Sequence, residues 1–190
     1  MPRNKALSSK SKGGEYTLLA IRVDTHNTRS AASISLTARH PQSAFERRDD
    51  DPVYECETEI SLSGVVTYPD ERAGQNFSIT LHGDDSPSSE THATLKDIAV
   101  LDQYGSPTYR EYRGRHIPVY KLPSGLGLIE KVRGEPAWTA WAKLPRRALT
   151  DMAAILAPGR QLYLEVQERK SDRVRWVNSI AIQTFDPAAD

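Results

Sequence analysis

The sequence predicts a mainly β fold: an antiparallel β-sandwich or partly open barrel of about eight to ten strands, with one short helix near 146–157. Three observations support this fold class. Stretches in which apolar and polar residues alternate recur along the chain, and this two-residue period is typical of half-buried strands. Polar segments rich in turn residues separate these stretches, and only one segment has its apolar residues at helical spacing.

The first predicted strands lie near the N-terminus. Strand-forming residues fill 15–24, and alternation resumes over 32–38. The polar segment 26–30 between them predicts a hairpin. The following segment, 41–52, contains two prolines and a run of charges, a composition that predicts a surface loop.

The clearest strand pattern covers 53–68, where one parity is mostly apolar and the other is rich in Glu and Ser. This length is unusual for one strand, so we expect a bulge or bend at Gly64. The turn-rich segment 69–74 then predicts a hairpin with 77–81. Cys56 shares the apolar parity, which favours a small buried hydrophobe over a nucleophile.

The second half of the chain contains the predicted helix. Leu149, Met152, Ala153 and Leu156 are spaced i, i+3, i+4, i+7, and Pro158-Gly159 would stop the helix. Two strands are predicted before it, at 125–132 and 137–144.

A hairpin of two alternating runs, 162–167 and 174–182, is predicted after the helix. To place apolar residues opposite each other, the turn should pair Leu164 with Ile180. Trp138 and Trp176 lie on faces that the pattern predicts to be buried. Trp141 has Thr139 and Lys143 as same-face neighbours, so if any tryptophan is exposed, it should be Trp141; burial on both sides at a sheet edge is the alternative.

The 190 residues are enough for one domain, which we place at 15–190 after a disordered basic tail at 1–14. The sequence contains no apolar run of the ~20 residues that a membrane span needs, so no membrane partner is expected. No hydrophobic stretch resembling a signal peptide follows Met1, and Cys56 is the single cysteine. These features favour a location in the reducing cytoplasm.

The formal net charge is zero, but the charges are segregated along the chain. Residues 1–48 hold nine Lys/Arg and three acids, 49–102 hold two and thirteen, and 103–149 hold nine and three. A basic patch for an anionic partner would produce this distribution. Blocks that neighbour and neutralise one another in the fold would produce it equally well.

The common catalytic and cofactor motifs are absent from the sequence. The sequence has no G-x-S-x-G, P-loop, H-E-x-x-H, C-x-x-C or dinucleotide fingerprint. We therefore assign no catalytic residue, metal ligand or cofactor, and we favour a protein that is not an enzyme. His82, Asp84, Asp85, Glu90 and His92 could approach a cation, but they lack a fixed ligand spacing. An enzyme site assembled in space from carboxylates and histidines remains an alternative.

The segment 104–121 is dominated by tyrosine and arginine. Guanidinium groups pair with phosphates at two points and tyrosine rings stack on unpaired bases, so this composition suits single-stranded nucleic acid or a nucleotide. On a regular strand, Arg113 and Arg115 would project to one side with Tyr109. The alternative is a structural strand whose arginines pair with the glutamates of 53–68. The predicted binding residues are Tyr109, Arg110, Tyr112, Arg113, Arg115, His116 and Lys121, together with Trp141 as an interface tryptophan.

Two functions follow from these patterns. The leading hypothesis is a non-enzymatic interaction protein that acts through a sheet face or edge, with another protein or its own copy as partner. The alternative is nucleic-acid or nucleotide binding through the Tyr/Arg-rich segment 104–121.

Overall fold

The computed structural model describes residues 15–34, 54–85, 90–156, 159–171 and 173–188. The predicted tail at 1–14 and the predicted loop at 41–52 lie outside these residues, and the single domain at 15–190 stays a prediction. The elements are β1 Glu15–Ile34, β2 Tyr54–Tyr68, β3 Asn76–Gly83, the 3₁₀ turn η1 Glu90–His92, β4 Tyr109–Tyr112, β5 Arg115–Pro118, β6 Gly127–Lys131, β7 Ala137–Leu144, α1 Arg146–Ile155, β8 Leu162–Ser171 and β9 Val174–Gln183.

Seven strands form a closed barrel in the order β1-β2-β3-β7-β6-β9-β8, and β8 pairs with β1 to complete it. Strands β4 and β5 form a separate two-stranded sheet. Over the described residues, the predicted mainly β fold with one short helix near 146–157 is therefore confirmed. Neighbouring barrel strands are antiparallel except β3 and β7, which run parallel. Because parallel neighbours cannot be joined by a tight turn, a long connection separates them, and it carries β4, β5 and β6.

The barrel interior is filled by the apolar parity of each strand. Fully buried side chains include Ile21, Ile60, Leu81, Leu164 and Val166. The helix α1 packs against this core through Leu149, which is fully buried, and through the partly buried Met152 and Ala153.

The predicted helix is confirmed over 146–155, and its N-terminus is capped from a distant loop. Its N-cap position is Pro145, which has no side-chain cap of its own. Instead, the backbone N–H of Arg146 donates to Oδ1 of Asp85 at 2.9 Å. A carboxylate at a helix N-terminus also interacts favourably with the helix dipole.

Two of the three predicted hairpins are confirmed, namely β2–β3 and β8–β9. The hairpin predicted at 15–38 is wrong, because β1 continues through the polar segment 26–30 as one strand to Ile34. Pairing with β2 satisfies the backbone of this segment along one edge and keeps it extended, so its polar side chains are exposed instead of turning the chain.

The predicted irregularity at Gly64 is present, but the additional residue belongs to the facing strand. Val23 pairs with Gly64 and Thr25 with Ser63, so Asp24 is the bulged residue. A Cβ atom at position 64 would lie 2.0 Å from the carbonyl oxygen of Arg22. Glycine is therefore required here, because the bulge brings the β1 backbone against β2.

A second bulge changes the register predicted for β8–β9. Ser171 pairs with Val174, and between Gln167 and Glu168 the register shifts so that Asn178 has no pairing partner. Leu164 therefore pairs with Ile182, so the predicted Leu164–Ile180 pair is wrong, although apolar residues still face one another.

The same bulge also makes the core assignment of Trp176 wrong. One additional residue exchanges the two faces of a strand. On the C-terminal side of the bulge, the even-numbered Ile182 faces inward; on its N-terminal side, the odd-numbered Val177 does. Trp176 therefore lies on the outer surface of the barrel, where it is half-buried. Trp138 lies in the core as predicted, and Trp141 is exposed as predicted.

The strands β1 and β2 extend beyond the barrel as a two-stranded arm. β1 pairs with β8 only over 15–23, and β2 pairs with β3 only over 59–65, whereas β1 and β2 remain paired to Ile34 and Tyr54. Cys56 lies in this arm and is exposed, so its predicted burial is wrong. Cys56 has the same parity as the core residues of β2, but at this position β2 extends beyond the barrel and has no core to face.

Candidate functional site

The Tyr/Arg-rich segment forms a small sheet of its own outside the barrel. Strands β4 and β5 pair as a hairpin, and residues 98–100 run beside their outer ends. Val100 N–H donates to the Val119 carbonyl at 2.9 Å, Lys121 N–H to Ile98 at 2.7 Å, and Thr108 N–H to Val100 at 2.8 Å. These bonds hold the base of the hairpin in one geometry.

A turn stabilised by the side chain of Asp102 supports the base of the hairpin. Oδ1 of Asp102 accepts hydrogen bonds from the backbone N–H groups of Tyr104 at 2.8 Å and Ser106 at 2.9 Å. Such turns fix a loop by replacing a backbone partner with a side-chain oxygen. Tyr104, at the surface of this turn, is thereby held in place while its ring is exposed.

A second aspartate closes the turn that precedes residue 98. The carboxylate of Asp97 accepts from the backbone N–H and from the hydroxyl of Thr94, both at 2.7 Å. These bonds, the backbone one first, lower the pKa of Asp97 below its ordinary value. The ionised carboxylate is the form that both donors favour.

The hairpin tip consists of Arg113 and Gly114, which lie between the paired residues Tyr112 and Arg115. Both have positive φ, 51° and 72°, as a two-residue type I′ turn requires. Arginine is an unusual residue at such a position, and left-handed backbone at a non-glycine residue costs of order 1 kcal/mol or more. The Arg113 guanidinium lies 5.2 Å from the centre of the Tyr112 ring.

The two faces of the hairpin differ in chemistry. Cross-strand pairing sets Arg110 opposite Ile117 and Tyr112 opposite Arg115 on one face. The other face carries Tyr109 opposite Pro118 and Glu111 opposite His116. We call the set Arg110, Tyr112, Arg113 and Arg115 the arginine face. It contains three arginines and no acid, because the single carboxylate of the hairpin lies on the opposite face.

The sequence-based geometry of this segment needs one correction. Arg113 and Arg115 were expected on one side with Tyr109, as on a regular strand. The tip turn interrupts the alternation, so Arg115 shares its face with Arg110 and Tyr112, whereas Tyr109 lies on the other face with His116. The composition predicts an anionic ligand, and the turn decides which side chains share a face.

Arginines and tyrosines of this segment are open to solvent. The exposed fractions of Tyr104, Tyr109, Tyr112 and Tyr120 lie between 43% and 83%. Among the described residues, no carboxylate lies within 4 Å of Arg110, Arg113 or Arg115. Among the described residues, none of these arginines therefore forms the ion pair with a β2 glutamate that the alternative interpretation requires.

The hairpin segment rejoins the barrel at a buried arginine. Nη2 of Arg169, in β8, donates to the carbonyl oxygens of Pro123 at 2.5 Å and Ser124 at 2.8 Å. Gly125 then passes so close to β9 that a Cβ there would lie 3.0 Å from the Val177 oxygen and 3.1 Å from Trp176 Cβ. Lys121, the last predicted binding residue of the segment, is exposed just before this anchor.

Trp141 occupies a different place from the hairpin residues. It lies on the outer face of β7, where it pairs with Thr80 of β3 and Leu128 of β6, and it is 42% exposed. The eight predicted binding residues therefore fall into two sets, seven on or beside the hairpin and Trp141 on the barrel wall.

The acidic residues near His82 are engaged in ion pairs. Nζ of Lys143 lies 3.1 Å from Asp84, Nε of Arg146 lies 3.5 Å from Asp85, and Nδ1 of His82 lies 3.9 Å from Glu59. Within the described part of the chain, no three His, Cys, Asp or Glu side chains are grouped as a metal site would require.

Sequence reasoning missed a charged cluster inside one end of the barrel. Glu168 is 1% exposed, and its carboxylate accepts from Arg72 at 2.7 and 3.0 Å and from Arg175. The two guanidinium groups also lie 4.4 and 5.1 Å from the ring centre of Trp138, whose Nε1 donates to Gln75 at 2.6 Å. We call these five residues the Glu168 network.

The Glu168 network could not be recognised from local pattern. Its members come from the β2–β3 turn, β7, β8 and β9, and they meet only when the barrel closes. The one signal in the sequence is that Glu168 continues the inward parity of Leu164 and Val166. Because both carboxylate oxygens are occupied by arginines of the same chain, the network is suited to closing the barrel end.

Comparisons with known proteins identify no relative: no protein-family model matches the chain, and neither a curated protein nor a solved structure matches it significantly. Among the described helices, none has the length and apolar character needed to cross a membrane.

Proposed function

We propose that this protein is a non-enzymatic binding protein whose ligand is a single-stranded nucleic acid, held by the arginine face. One observation carries the proposal: Arg110, Tyr112 and Arg115 share an exposed hairpin face, and Arg113 extends it at the tip. These cations have no carboxylate partner among the described residues. Their charge is therefore available to an anionic ligand. The proposed location is the cytoplasm, since the sequence holds one cysteine.

The chemistry of binding follows from the two side-chain types. Each guanidinium can donate two parallel hydrogen bonds to a phosphate, which fixes its orientation as well as its position. Each exposed tyrosine ring can stack on a base, a contact worth about 1–3 kcal/mol. Three arginines and Lys121 neutralising four phosphates would give a slope of about −3 for log affinity against log salt concentration.

Unpaired bases suit this surface better than a duplex. The rings of Tyr104, Tyr109, Tyr112 and Tyr120 are exposed, and an aromatic ring can stack only on a base whose own face is free. A two-stranded ribbon can also enter the major groove of duplex DNA. Duplex of the same sequence is therefore the competitor that the experiment must include.

The test is a fluorescence-anisotropy titration with labelled 12-nucleotide single strands and with the matching duplex, at low and at physiological salt. The test variant is R110Q/R113N/R115Q, in which asparagine retains the positive φ of the tip. Its matched control is R29Q/R133Q/R147Q, which removes the same charge from exposed arginines outside the hairpin. We expect the test variant to lose at least tenfold in affinity and the control to stay within about twofold.

Two results would contradict the proposal. Equal loss in both triple variants would show that net charge, and not the arginine face, determines binding. Tighter binding of the duplex than of the single strand would exclude the stacking role of the tyrosines.

A protein partner is the second candidate function, and the arm favours it. From residue 24 to residue 34, β1 pairs with β2 on one side and with no described strand on the other. An unpaired strand edge can accept a strand from another chain. At the end of the arm, Ile34 pairs with the strongly exposed Tyr54, and Ala32 pairs with Cys56.

Self-association through this edge is the form that can be tested directly. Light scattering after size exclusion gives the mass of the wild type and of I34K/Y54K. A dimer that becomes a monomer in the variant supports the arm as an interface. A wild-type monomer that resists crosslinking through Cys56 at high concentration argues against association with its own copy.

A further inference from the structure

Four outward-facing side chains lie next to one another across the barrel wall. Arg169 of β8 pairs with Trp176 of β9, Trp176 pairs with Leu128 of β6, and Leu128 pairs with Trp141 of β7. Residues directly opposite in neighbouring strands have Cβ atoms about 4.5–5.5 Å apart. We call this set the tryptophan row.

Exposure increases from one end of the tryptophan row to the other. Arg169 is 3% exposed, Trp176 and Leu128 are half-buried, and Trp141 is open to solvent. The row continues through Thr80 of β3, which is small and polar. The accessible part is thus an aromatic and apolar strip that ends on an indole ring.

The tryptophan row begins where the hairpin segment joins the barrel. The chain leaves β5, passes Tyr120 and Lys121, and is held at Pro123 and Ser124 by Arg169. The following residue, Gly125, lies against Trp176. The chain that carries the arginine face is therefore anchored on the barrel wall at the Arg169–Trp176 end of the row.

Charge at this junction favours an anionic occupant. The Arg169 guanidinium is buried, and its Nε has no hydrogen-bond partner. Among the described residues, no carboxylate lies within 4 Å of it, and its Nη2 bonds are to neutral carbonyl groups. A buried cation without a counter-charge raises the positive potential of the surface above it.

We propose that the tryptophan row is the second half of the nucleic-acid surface, on which bases of the same single strand stack. This inference rests on the proposed function. Phosphates near the arginine face would be held by guanidinium groups, and bases further along the strand would contact Trp176 and Trp141. These indoles are two strand spacings apart, about 10 Å, so the row needs several nucleotides of its own.

The experiment combines oligonucleotide length with tryptophan emission. Wild type and W141T are titrated with single strands of 4 and 12 nucleotides, as DNA and as RNA, and emission is recorded with unlabelled strands. The control is Y54T, which removes an exposed aromatic ring from the arm. Thermal unfolding of each variant verifies that the fold is retained.

The row predicts a length-dependent defect. W141T should bind the 12-nucleotide strand about 5- to 150-fold more weakly, as expected for one lost base stack. It should bind the 4-nucleotide strand within about twofold of wild type, because the short strand occupies the arginine face alone. The 12-nucleotide strand should quench wild-type emission, and most of that quenching should disappear in W141T but not in Y54T.

The outcomes separate this inference from the function on which it rests. If R110Q/R113N/R115Q loses binding while W141T binds and is quenched like the wild type, the row is excluded and the arginine face stands. If the wild type binds no oligonucleotide at either salt concentration, both proposals fail.

Discussion

Glu168→Gln is the substitution for which the structure gives the clearest expectation. Gln has nearly the same shape, but it removes the charge that Arg72 and Arg175 share and replaces one acceptor oxygen with a donor amide. Removing one partner of a buried ion pair typically costs about 3–5 kcal/mol, because the opposite charge remains buried.

The expected magnitude is lowered by the position of the two arginines. The side chains of Arg72 and Arg175 are 13% and 26% exposed, so water can partly solvate their guanidinium groups once the carboxylate charge is removed. We therefore expect a loss of about 2–4 kcal/mol in the free energy of unfolding, against a typical total of about 5–15 kcal/mol for a domain. With a urea slope of about 2 kcal/mol/M, the middle of the usual range, the midpoint should fall by roughly 1–2 M.

Urea unfolding monitored by tryptophan fluorescence measures this loss, since the ring centre of Trp138 lies 4.4 and 5.1 Å from the two guanidinium groups. Glu165→Gln is the matched control, because Glu165 is in the same strand and half-buried, and among the described residues its one side-chain hydrogen bond comes from Gln183 at 3.5 Å. We expect the control to change stability by less than about 0.5 kcal/mol. If the two variants are equally stable, the Glu168 network contributes no net stability and the reasoning is refuted.

Three further predictions follow from single positions. Gly64→Ala should lower the free energy of unfolding by more than about 2 kcal/mol or prevent folding, because the added Cβ would overlap the Arg22 carbonyl. A urea midpoint equal to that of the wild type would contradict the bulge. Arg113→Gly should raise the free energy of unfolding by about 0.5–1 kcal/mol, because glycine adopts a positive φ without strain. The same substitution should weaken oligonucleotide binding. A loss in thermal stability would argue against strain at the tip. The Cys56 thiol should react with a chromogenic disulfide reagent in the native state as fast as in denaturant, whereas slower reaction in the native state would show that the thiol is covered.

The sequence was most informative where one strand keeps one face inward. Alternation correctly predicted β2, β3, β7 and β8, and the spacing of Leu149, Met152 and Leu156 correctly predicted α1. These patterns depend on burial against a core, which is a local consequence of side-chain polarity.

The errors occur where pairing or register, and not polarity, decides the structure. The segment 26–30 is polar but extended, because β2 supplies its hydrogen bonds. The unpaired Asn178 exchanges the faces of β9 and moves Trp176 outward. Neither effect can be read from one strand alone, since each depends on the partner strand.

The candidate site shows the same division. Composition alone indicated an Arg- and Tyr-rich surface for an anionic ligand at 104–121. The positive φ of Arg113 and Gly114 then determines which side chains share a face, and no spacing rule gives that information. The link from Arg169 to Pro123 joins residues 46 positions apart and depends on the closed barrel.

The parallel pairing of β3 and β7 has a consequence for the hairpin. It requires a connection that leaves β3 and returns to β6, and this connection is fixed at both ends, by Asp84 N–H to Leu144 O at 2.8 Å and by Leu126 N–H to Val177 O at 2.8 Å. The hairpin lies between these two clamps and donates no strand to the barrel. The length and the side chains of the hairpin can therefore change while the strand pairing of the barrel stays the same.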